Sequence, residues 1–179
     1  NISWPRCTTR ANVQPADQEF VRALALGAVT NFGRGLWLSK HSSKCSGLSQ
    51  CLGSLLKRVA PEFHFTTIQL NSGYSAKLHV DSNNYGPSVI CAFGAYTGGR
   101  LWTHQAEGSA GMEVTETMRG WPHHKAGDKI PGAYADIRNK LLFFDGRLPH
   151  AAEAFKGVRF SIVCFTSRYW RNAPACLKS

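Results

Sequence analysis

The chain has 179 residues, of which 43% are hydrophobic, and it carries a formal net charge of +10. This length and composition are typical of one soluble globular domain with a sizeable core. The sequence has no apolar run of about 18 residues, which excludes a membrane-spanning helix, and no signal peptide is visible.

Residues 1–62 are predicted to form an N-terminal arm and two supporting helices. The first helix is expected to start at Pro15 and to end near Gly33, because apolar residues recur at three- and four-residue spacings: Phe20, Val21, Leu24, Ala25 and Ala28. A second helix is predicted from Gly47 to Ala60, with Pro61 after its end. Residues 33–46 between them are predicted to be a loop. We expect both helices to cover the outer face of a sheet.

From residue 63 onward the hydrophobic pattern becomes that of strands, and residues 63–179 are predicted to form a β-rich core. Strands are expected at 64–70, 74–81, 88–96 and 100–104. Residues 105–139 hold many Gly, Pro and charged residues, which favours a long functional or mobile insert loop. Near the end of the chain, Lys156-Gly157 lies between two strand-like runs and indicates a two-residue hairpin turn. The two segments together are expected to form one compact domain.

His79-Val-Asp81 carries the first candidate metal ligands. Side chains two apart on a strand point to the same face, so an imidazole and a carboxylate can converge on one ion. Two histidines and one carboxylate form the facial triad of non-haem Fe(II) oxygenases. On its own the motif is weak, and a strand that runs into a polar turn is the more usual explanation.

The second candidate group lies on the predicted hairpin. With its turn at Lys156-Gly157, one face of the hairpin carries His150, two small residues, then Arg159 and Ser161. Arginine offers a fork that binds a carboxylate in bidentate geometry, so a dicarboxylate could join a metal at one end and Arg159 at the other. The alternative is a surface arginine on an edge strand.

These residues together resemble the Fe(II)/2-oxoglutarate-dependent oxygenases over roughly residues 63–169. The matching motifs are His79-x-Asp81, His150 and Arg159-x-Ser161. The resemblance implies a double-stranded β-helix (jelly roll) with the N-terminal helices packed on one sheet. It also implies Fe(II) bound by His79, Asp81 and His150, 2-oxoglutarate as co-substrate with O₂, and stimulation by ascorbate.

The same resemblance implies the co-substrate contacts. Arg159 and Ser161 would hold the distal carboxylate of 2-oxoglutarate. Polar residues just before the His-x-Asp motif contribute further contacts in related oxygenases, and here Gln69, Asn71 and Tyr74 stand there. Turn and packing roles are the alternative for all three.

Within this superfamily, the stretch from His79 to Cys91 is similar to the TET and J-binding-protein group. Those enzymes oxidise the 5-methyl group of a pyrimidine in nucleic acid, and an asparagine three after the iron-binding aspartate contacts the base. Asn84 stands at that position. The chain departs from the AlkB-type demethylases, which carry a second arginine where Phe165 stands. It departs also from prolyl hydroxylases, which usually carry lysine where Arg159 stands.

Further candidate substrate contacts come from the residues after the third predicted strand. Arg119 and Trp121 combine a cation with a stacking surface, a mixture that suits a nucleic-acid strand. His104 is a candidate for a cofactor or substrate contact. A solvated loop and a surface histidine are the alternatives.

Positive charge is concentrated at the two ends of the chain, which favours a polyanionic partner such as DNA or RNA. The alternative is a basic protein that simply stays soluble. The six cysteines have no regular spacing, so free thiols in a reducing intracellular compartment are predicted, with the nucleus expected if DNA is the substrate. Because the sequence begins with Asn1, we expect it to belong to a larger multidomain chain, and we expect a monomer.

Three functional hypotheses follow. The first is an iron- and 2-oxoglutarate-dependent dioxygenase that hydroxylates the 5-methyl group of a pyrimidine in nucleic acid. The second is the same chemistry on a protein side chain or a small molecule. The third is a jelly-roll binding module that carries a metal without turnover, and it has no need of the complete set of three ligands and Arg159.

Overall fold

The computed structural model describes residues 3–8, 10–31 and 35–173. Three strands come first, two helices follow, and the rest is mainly strands. The elements in order are β1 (Arg6–Cys7), β2 (Val21–Asn31), β3 (Gly35–Leu38), α1 (Lys40–Lys44), α2 (Ser46–Val59), β4 (Thr67–Ser72), β5 (Asn84–Phe93), β6 (Tyr96–Gly98), β7 (Leu101–His104), β8 (Met112–Glu113), β9 (Lys129–Ile130), β10 (Gly132–Ala135), β11 (Leu142–Phe144), β12 (His150–Ala152), β13 (Phe155–Gly157) and β14 (Phe160–Ser167). A short 3₁₀ helix follows at Trp170–Asn172.

Two antiparallel sheets build the core. The larger sheet has the order β1-β2-β4-β14-β5-β11, and β3 pairs with β2. The smaller sheet has the order β10-β7-β12, and a bridge between His79 and His150 extends it by one segment. Ile90 and Ala92 of the larger sheet pack with Leu101 of the smaller sheet. The two sheets therefore face each other as in a jelly roll, and the predicted fold class is confirmed.

The first predicted helix is wrong, because its residues form strand β2. Burial there alternates over Leu24, Leu26 and Ala28, and β2 pairs with β4 from Arg22 to Gly27. Gly27 has φ +81, and a Cβ there would lie 2.3 Å from the carbonyl oxygen of Thr66. Apolar positions at 21, 24 and 28 satisfy a helical spacing by coincidence, and close strand pairing decides the conformation. Gly33, the predicted helix end, lies outside the described residues.

The second predicted helix is confirmed as α2. Its residues Leu48, Leu52 and Leu56 pack against Leu24, Leu26 and Ile68 of the larger sheet. The predicted loop before it contains β3 and α1. Because β2 pairs with β4, the segments before and after residue 62 share one sheet. Within the part of the chain that the structure describes, no helix is long and apolar enough to cross a membrane.

The segment 105–139 packs as a wall instead of forming a loose loop. It contains β8, β9 and β10, and Val114, Met118 and Ile130 are buried against Leu78 and Val80. These contacts support the segment that contains His79. The apolar residues of this segment are scattered among glycines and charged residues and show no periodicity. The sequence pattern therefore favoured a loop.

The predicted hairpin register around Lys156-Gly157 is wrong. Strand β13 pairs with β6, and β14 pairs with β4 and β5, so the two strands are not partners. Gly157 has φ +105, and a Cβ there would lie 2.3 Å from the carbonyl oxygen of Ala95. Glycine at this position therefore allows the segment at β6 to approach closely. After it, the chain crosses from the β13–β6 pair to β14 in the larger sheet.

Candidate metal and anion site

Three predicted ligands converge at one point between the two sheets. His79 Nε2 lies 3.8 Å from Asp81 Oδ1, and His150 Nε2 lies 3.7 Å from Asp81 Oδ2. The candidate ligand atoms of the three residues all lie within 4.8 Å of one another. The backbone bridge between His79 and His150 aligns the two imidazoles, whose ring centroids are 4.1 Å apart. Pairing with the smaller sheet thus brings together residues that are far apart in the sequence.

Both imidazoles are oriented by a backbone carbonyl two residues earlier. His79 Nδ1 donates to the carbonyl oxygen of Lys77 at 2.7 Å, and His150 Nδ1 donates to that of Leu148 at 2.9 Å. This fixes the tautomer that leaves each Nε2 lone pair directed at Asp81, as metal ligation requires. Burial, and next the neighbouring His150, hold the pKa of His79 far below its ordinary value. A neutral imidazole is the form that binds metal.

Asp81 is held by its own surroundings. Its backbone N–H donates to the carbonyl oxygen of Gly146 at 2.8 Å. The buried amide of Asn84 donates to Asp81 Oδ2 at 3.4 Å and to Ser88 Oγ at 3.1 Å. The Asn84 amide therefore lies beside the carboxylate, in a position to orient it. A contact between Asn84 and a target base stays a prediction.

A cavity of about 110 Å³, which we call the main cavity, runs from the triad into the jelly roll. Ser161 of β14 lines it, together with Arg159, which comes just before that strand, and Ala152 of the smaller sheet. The wrong hairpin register therefore had a correct consequence, since His150, Ala152, Arg159 and Ser161 do share one cavity. Leu101 and Phe144 form an apolar part of the wall of this cavity.

Arg159 reaches the cavity without an ion-pair partner among the described residues. Its side chain is 4% exposed, and its Nε and one terminal nitrogen are buried with no hydrogen-bond acceptor in that part of the chain. The guanidinium carbon lies 5.6 Å from the ring centre of Tyr96 and 5.5 Å from that of Phe155. Burial lowers the pKa of Arg159, and Tyr96 opposes that shift. Unpaired buried donors are costly, so this end of the cavity is built to receive an anion.

A hydrogen-bonded row joins Ser161 to the mouth of the cavity. Asn71 Nδ2 donates to Ser161 Oγ at 3.2 Å, and the Tyr74 hydroxyl donates to Asn71 Oδ1 at 2.7 Å. Arg10 Nη1 donates to Asn71 Oδ1 at 3.1 Å and to the Tyr74 oxygen at 3.0 Å. Arg10 lines the main cavity and was missed from the sequence, because an isolated arginine in an irregular arm carries no periodic or motif signal.

The residues fit the Fe(II) and 2-oxoglutarate pair that the motifs imply. Two imidazoles and one carboxylate offer the donor set of a non-haem Fe(II) site. The orphaned N–H groups of Arg159 offer what a distal carboxylate needs. Both requirements are met within one cavity.

The other predicted substrate residues lie outside the main cavity. Arg119 is exposed and lines an open groove of about 580 Å³, which we call the outer groove and which also touches His79 and Asn83. Trp121 is half-buried, and its ring centre lies 5.5 Å from that of His104. His104 Nδ1 bonds the carbonyl oxygen of Pro131 at 2.8 Å. The structure thus places Arg119 in a groove that His79 also lines, and it places His104 and Trp121 in a separate aromatic cluster.

No protein-family model matches the chain, and no curated protein sequence matches it. Solved structures do match. A 2OG-Fe(II) oxygenase family oxidoreductase from Burkholderia pseudomallei is 18% identical, with a TM-score of 0.53 over 90% of this chain and 75% of that one. NgTET1, solved in complex with 5mC DNA, is 15% identical, with a TM-score of 0.50 over 82% of this chain and 61% of that one. These likenesses establish that the chain has the fold of 2-oxoglutarate/Fe(II) oxygenases.

Proposed function

We propose that this protein is an Fe(II)- and 2-oxoglutarate-dependent dioxygenase that hydroxylates a C–H group. One observation carries the proposal: the metal-ready triad lines the same cavity as a buried guanidinium that has no ion-pair partner among the described residues. A metal triad alone, or a buried arginine alone, would be compatible with a purely structural role. A binding module that does not turn over gains nothing from keeping an uncompensated cation inside its core.

The residues have three roles, which are metal binding, co-substrate binding and solvent exclusion. His79, Asp81 and His150 bind the metal, and Arg159 with Ser161 holds the distal carboxylate of 2-oxoglutarate. When bound, Fe(II), 2-oxoglutarate and O₂ supply the oxidant that hydroxylates the C–H bond, and the co-substrate leaves as succinate and CO₂. The apolar walls exclude water from the reacting groups.

For the substrate we propose the 5-methyl group of a pyrimidine in DNA or RNA. The net charge of +10 suits a polyanion. Arg119 lines the outer groove together with His79, so a phosphate held there would lie near the metal. The fold is shared with NgTET1, which was solved with 5mC DNA. A base in a duplex would have to be flipped into the cavity, at a cost of a few kcal/mol. A nuclear location follows if DNA is the substrate.

The test is mass spectrometry of nucleosides after methylated DNA or RNA is incubated with the protein, Fe(II), 2-oxoglutarate and ascorbate. We expect oxidised 5-methylpyrimidine together with succinate. Asp81→Ala should abolish both, whereas Asp136→Ala, which removes an exposed carboxylate that does not line the main cavity, should abolish neither. Succinate formed with peptides but without any oxidised nucleoside would move the substrate to protein. Normal turnover by Asp81→Ala would refute the dioxygenase assignment.

A further inference from the structure

A groove with aromatic walls lies where β5 begins and β14 ends, and we call it the aromatic groove. Its volume is about 520 Å³, and Phe63, Phe65, Tyr85 and Trp170 are among its lining residues. Phe63 and Phe65 stack with ring centres 6.1 Å apart and pack against the core that includes Leu56 of α2. Among the described residues, none lines both this groove and the main cavity. The aromatic groove is therefore a separate surface with a rigid floor.

The other two rings of the aromatic groove are open to solvent. Tyr85 is 50% exposed and Trp170 is 36% exposed, and their ring centres lie 6.3 Å apart. The guanidinium carbon of Arg171 lies 5.9 Å from the ring centre of Tyr85 and 5.1 Å from that of Trp170. Contiguous exposed apolar surface marks a binding groove more often than scattered single residues do. The groove thus presents aromatic faces with a cation at its rim.

The charge around the aromatic groove suits an anionic chain. Arg168 and Arg171 lie on either side of Trp170 in the sequence, and both are exposed. Glu62 is the one acidic side chain among the described residues that line the groove. Aromatic faces beside cations are what proteins use to bind single-stranded nucleic acid, where bases stack and phosphates meet the positive charge. An apolar peptide would fit the rings but would have no use for the arginines.

The aromatic groove begins next to the metal site. Tyr85 directly follows Asn84, whose amide donates to Asp81. Asn84 is 7% exposed, so the two neighbours point to opposite sides of β5, as strand alternation requires. The backbone N–H of Arg168 donates to the carbonyl oxygen of Asn83 at 2.8 Å, which ties the Trp170 segment to the same loop. A nucleic-acid chain with one base at the metal therefore has flanking nucleotides near Tyr85.

We propose that the aromatic groove binds an unpaired flank of a nucleic-acid substrate, so that the protein prefers single-stranded to duplex nucleic acid. This inference rests on the proposed function and names the form of its substrate. Unpaired bases can stack on Tyr85 and Trp170, whereas the bases of a duplex already stack on one another. An unpaired target also avoids the cost of flipping a base out of a duplex.

Fluorescence anisotropy with a labelled oligothymidylate of about 12 nucleotides, a length typical of single-strand sites, tests the groove without turnover. Tyr85→Ala and Trp170→Ala should each weaken binding roughly 5- to 100-fold, as expected for one lost base–aromatic stack. Tyr85→Phe keeps the ring and should bind like the wild-type protein. Tyr134→Ala is the matched control, because Tyr134 is 38% exposed and lies 4.4 Å from the Arg100 guanidinium on the smaller sheet. It should leave the affinity unchanged.

The same strand paired with oligoadenylate tests the preference for single strands. The wild-type protein should bind the unpaired strand more tightly than this duplex, and the difference should shrink in Trp170→Ala. Arg171→Gln should reduce the slope of log affinity against log salt concentration by about 0.7, as one lost phosphate contact does. Thermal unfolding of each variant shows whether the fold is retained.

Two results would overturn the inference and leave the proposed function intact, provided that methylated nucleic acid is still oxidised. One is tighter binding of the duplex by the wild-type protein. The other is wild-type affinity for the single strand in both Tyr85→Ala and Trp170→Ala, which would favour a peptide as the occupant of the groove. If the alanine variants lost binding but the wild-type protein oxidised no nucleoside, the proposed substrate would be refuted and the groove would remain a nucleic-acid site.

Discussion

The two ends of the main cavity are completed in different ways. At the metal end, each histidine is oriented by a carbonyl two residues earlier in its own segment. Asp81 is fixed by the backbone of Gly146 and the amide of Asn84. At the guanidinium end, Arg159 is surrounded by aromatic rings, and its buried N–H groups find no acceptor within the described ranges of the chain.

The difference separates geometry that the fold supplies from geometry that a ligand must complete. The metal end is ordered by backbone carbonyls and by the amide of Asn84, so the three ligands are held ready for an ion. The guanidinium end carries an energetic cost that an incoming carboxylate relieves. Binding of the co-substrate should therefore stabilise the protein mainly through Arg159, and metal retention should depend mainly on the contacts around Asp81.

The largest expected effect comes from replacing Arg159 by methionine, which keeps an apolar side chain of similar reach. Removal of the unpaired buried cation should raise the free energy of unfolding of the ligand-free protein by about 1–3 kcal/mol. The same change should weaken 2-oxoglutarate binding roughly 10- to 100-fold. Urea unfolding with and without Mn(II) and 2-oxoglutarate measures both, because ligand binding adds to the stability of the wild-type protein alone.

Arg138→Met is the matched control for that variant. Arg138 lies over the same Tyr96 ring at 4.2 Å and donates to the Tyr96 carbonyl oxygen, but it does not line the main cavity. Its replacement should lower stability and leave 2-oxoglutarate affinity unchanged. If Arg159→Met were instead less stable than the wild-type protein without ligand, the guanidinium would stabilise the fold without a bound anion, which contradicts this prediction.

A smaller effect is expected at the metal end from Asn84→Ala. The amide donates to Asp81 and Ser88, so its loss should weaken metal binding by roughly 10-fold, within the range usual for groups that orient metal ligands. Mn(II) affinity measured by calorimetry checks this. Ser88→Ala leaves the Asp81 contact in place and should have a weaker effect. If Asn84→Ala left metal affinity unchanged but abolished oxidation of nucleic acid, Asn84 would instead contact the target base.

The site could be predicted from sequence where its residues stand two positions apart, although the predicted strand at 74–81 is wrong and only an isolated bridge at His79 forms there. His79-x-Asp81 and Arg159-x-Ser161 each place two side chains on one face, and the structure keeps both pairs in the main cavity. The predicted hairpin was wrong, because Gly157 lies in strand β13, which pairs with β6, and not in a turn. Arg10 could not be predicted, since its place depends on how the turn around Val13 packs.

The N-terminal region shows why spacing alone misleads. Residues 21–31 have apolar positions that satisfy a helix and a strand equally, and long-range pairing with β4 decides between them. The stretch 46–59 has one apolar face without competing strand partners, and it forms the predicted helix. Secondary structure was thus predictable where local pattern and tertiary partner agree.

The smallest expected effect is a shift of Arg159 caused by its neighbour Gly99. Gly99 has φ +70, and a Cβ there would lie 2.9 Å from Arg159 Nε and 3.0 Å from the Tyr96 ring. Because the guanidinium must move by a few tenths of an ångström, Gly99→Ala should raise the KM for 2-oxoglutarate by up to roughly 10-fold, less than a full 1 Å misplacement costs. Gly86→Ala is the control, since Gly86 has φ +69 and open space around it. Both variants carry similar backbone strain, so equal KM values in succinate assays would mean that strain, and not the position of Arg159, sets co-substrate affinity.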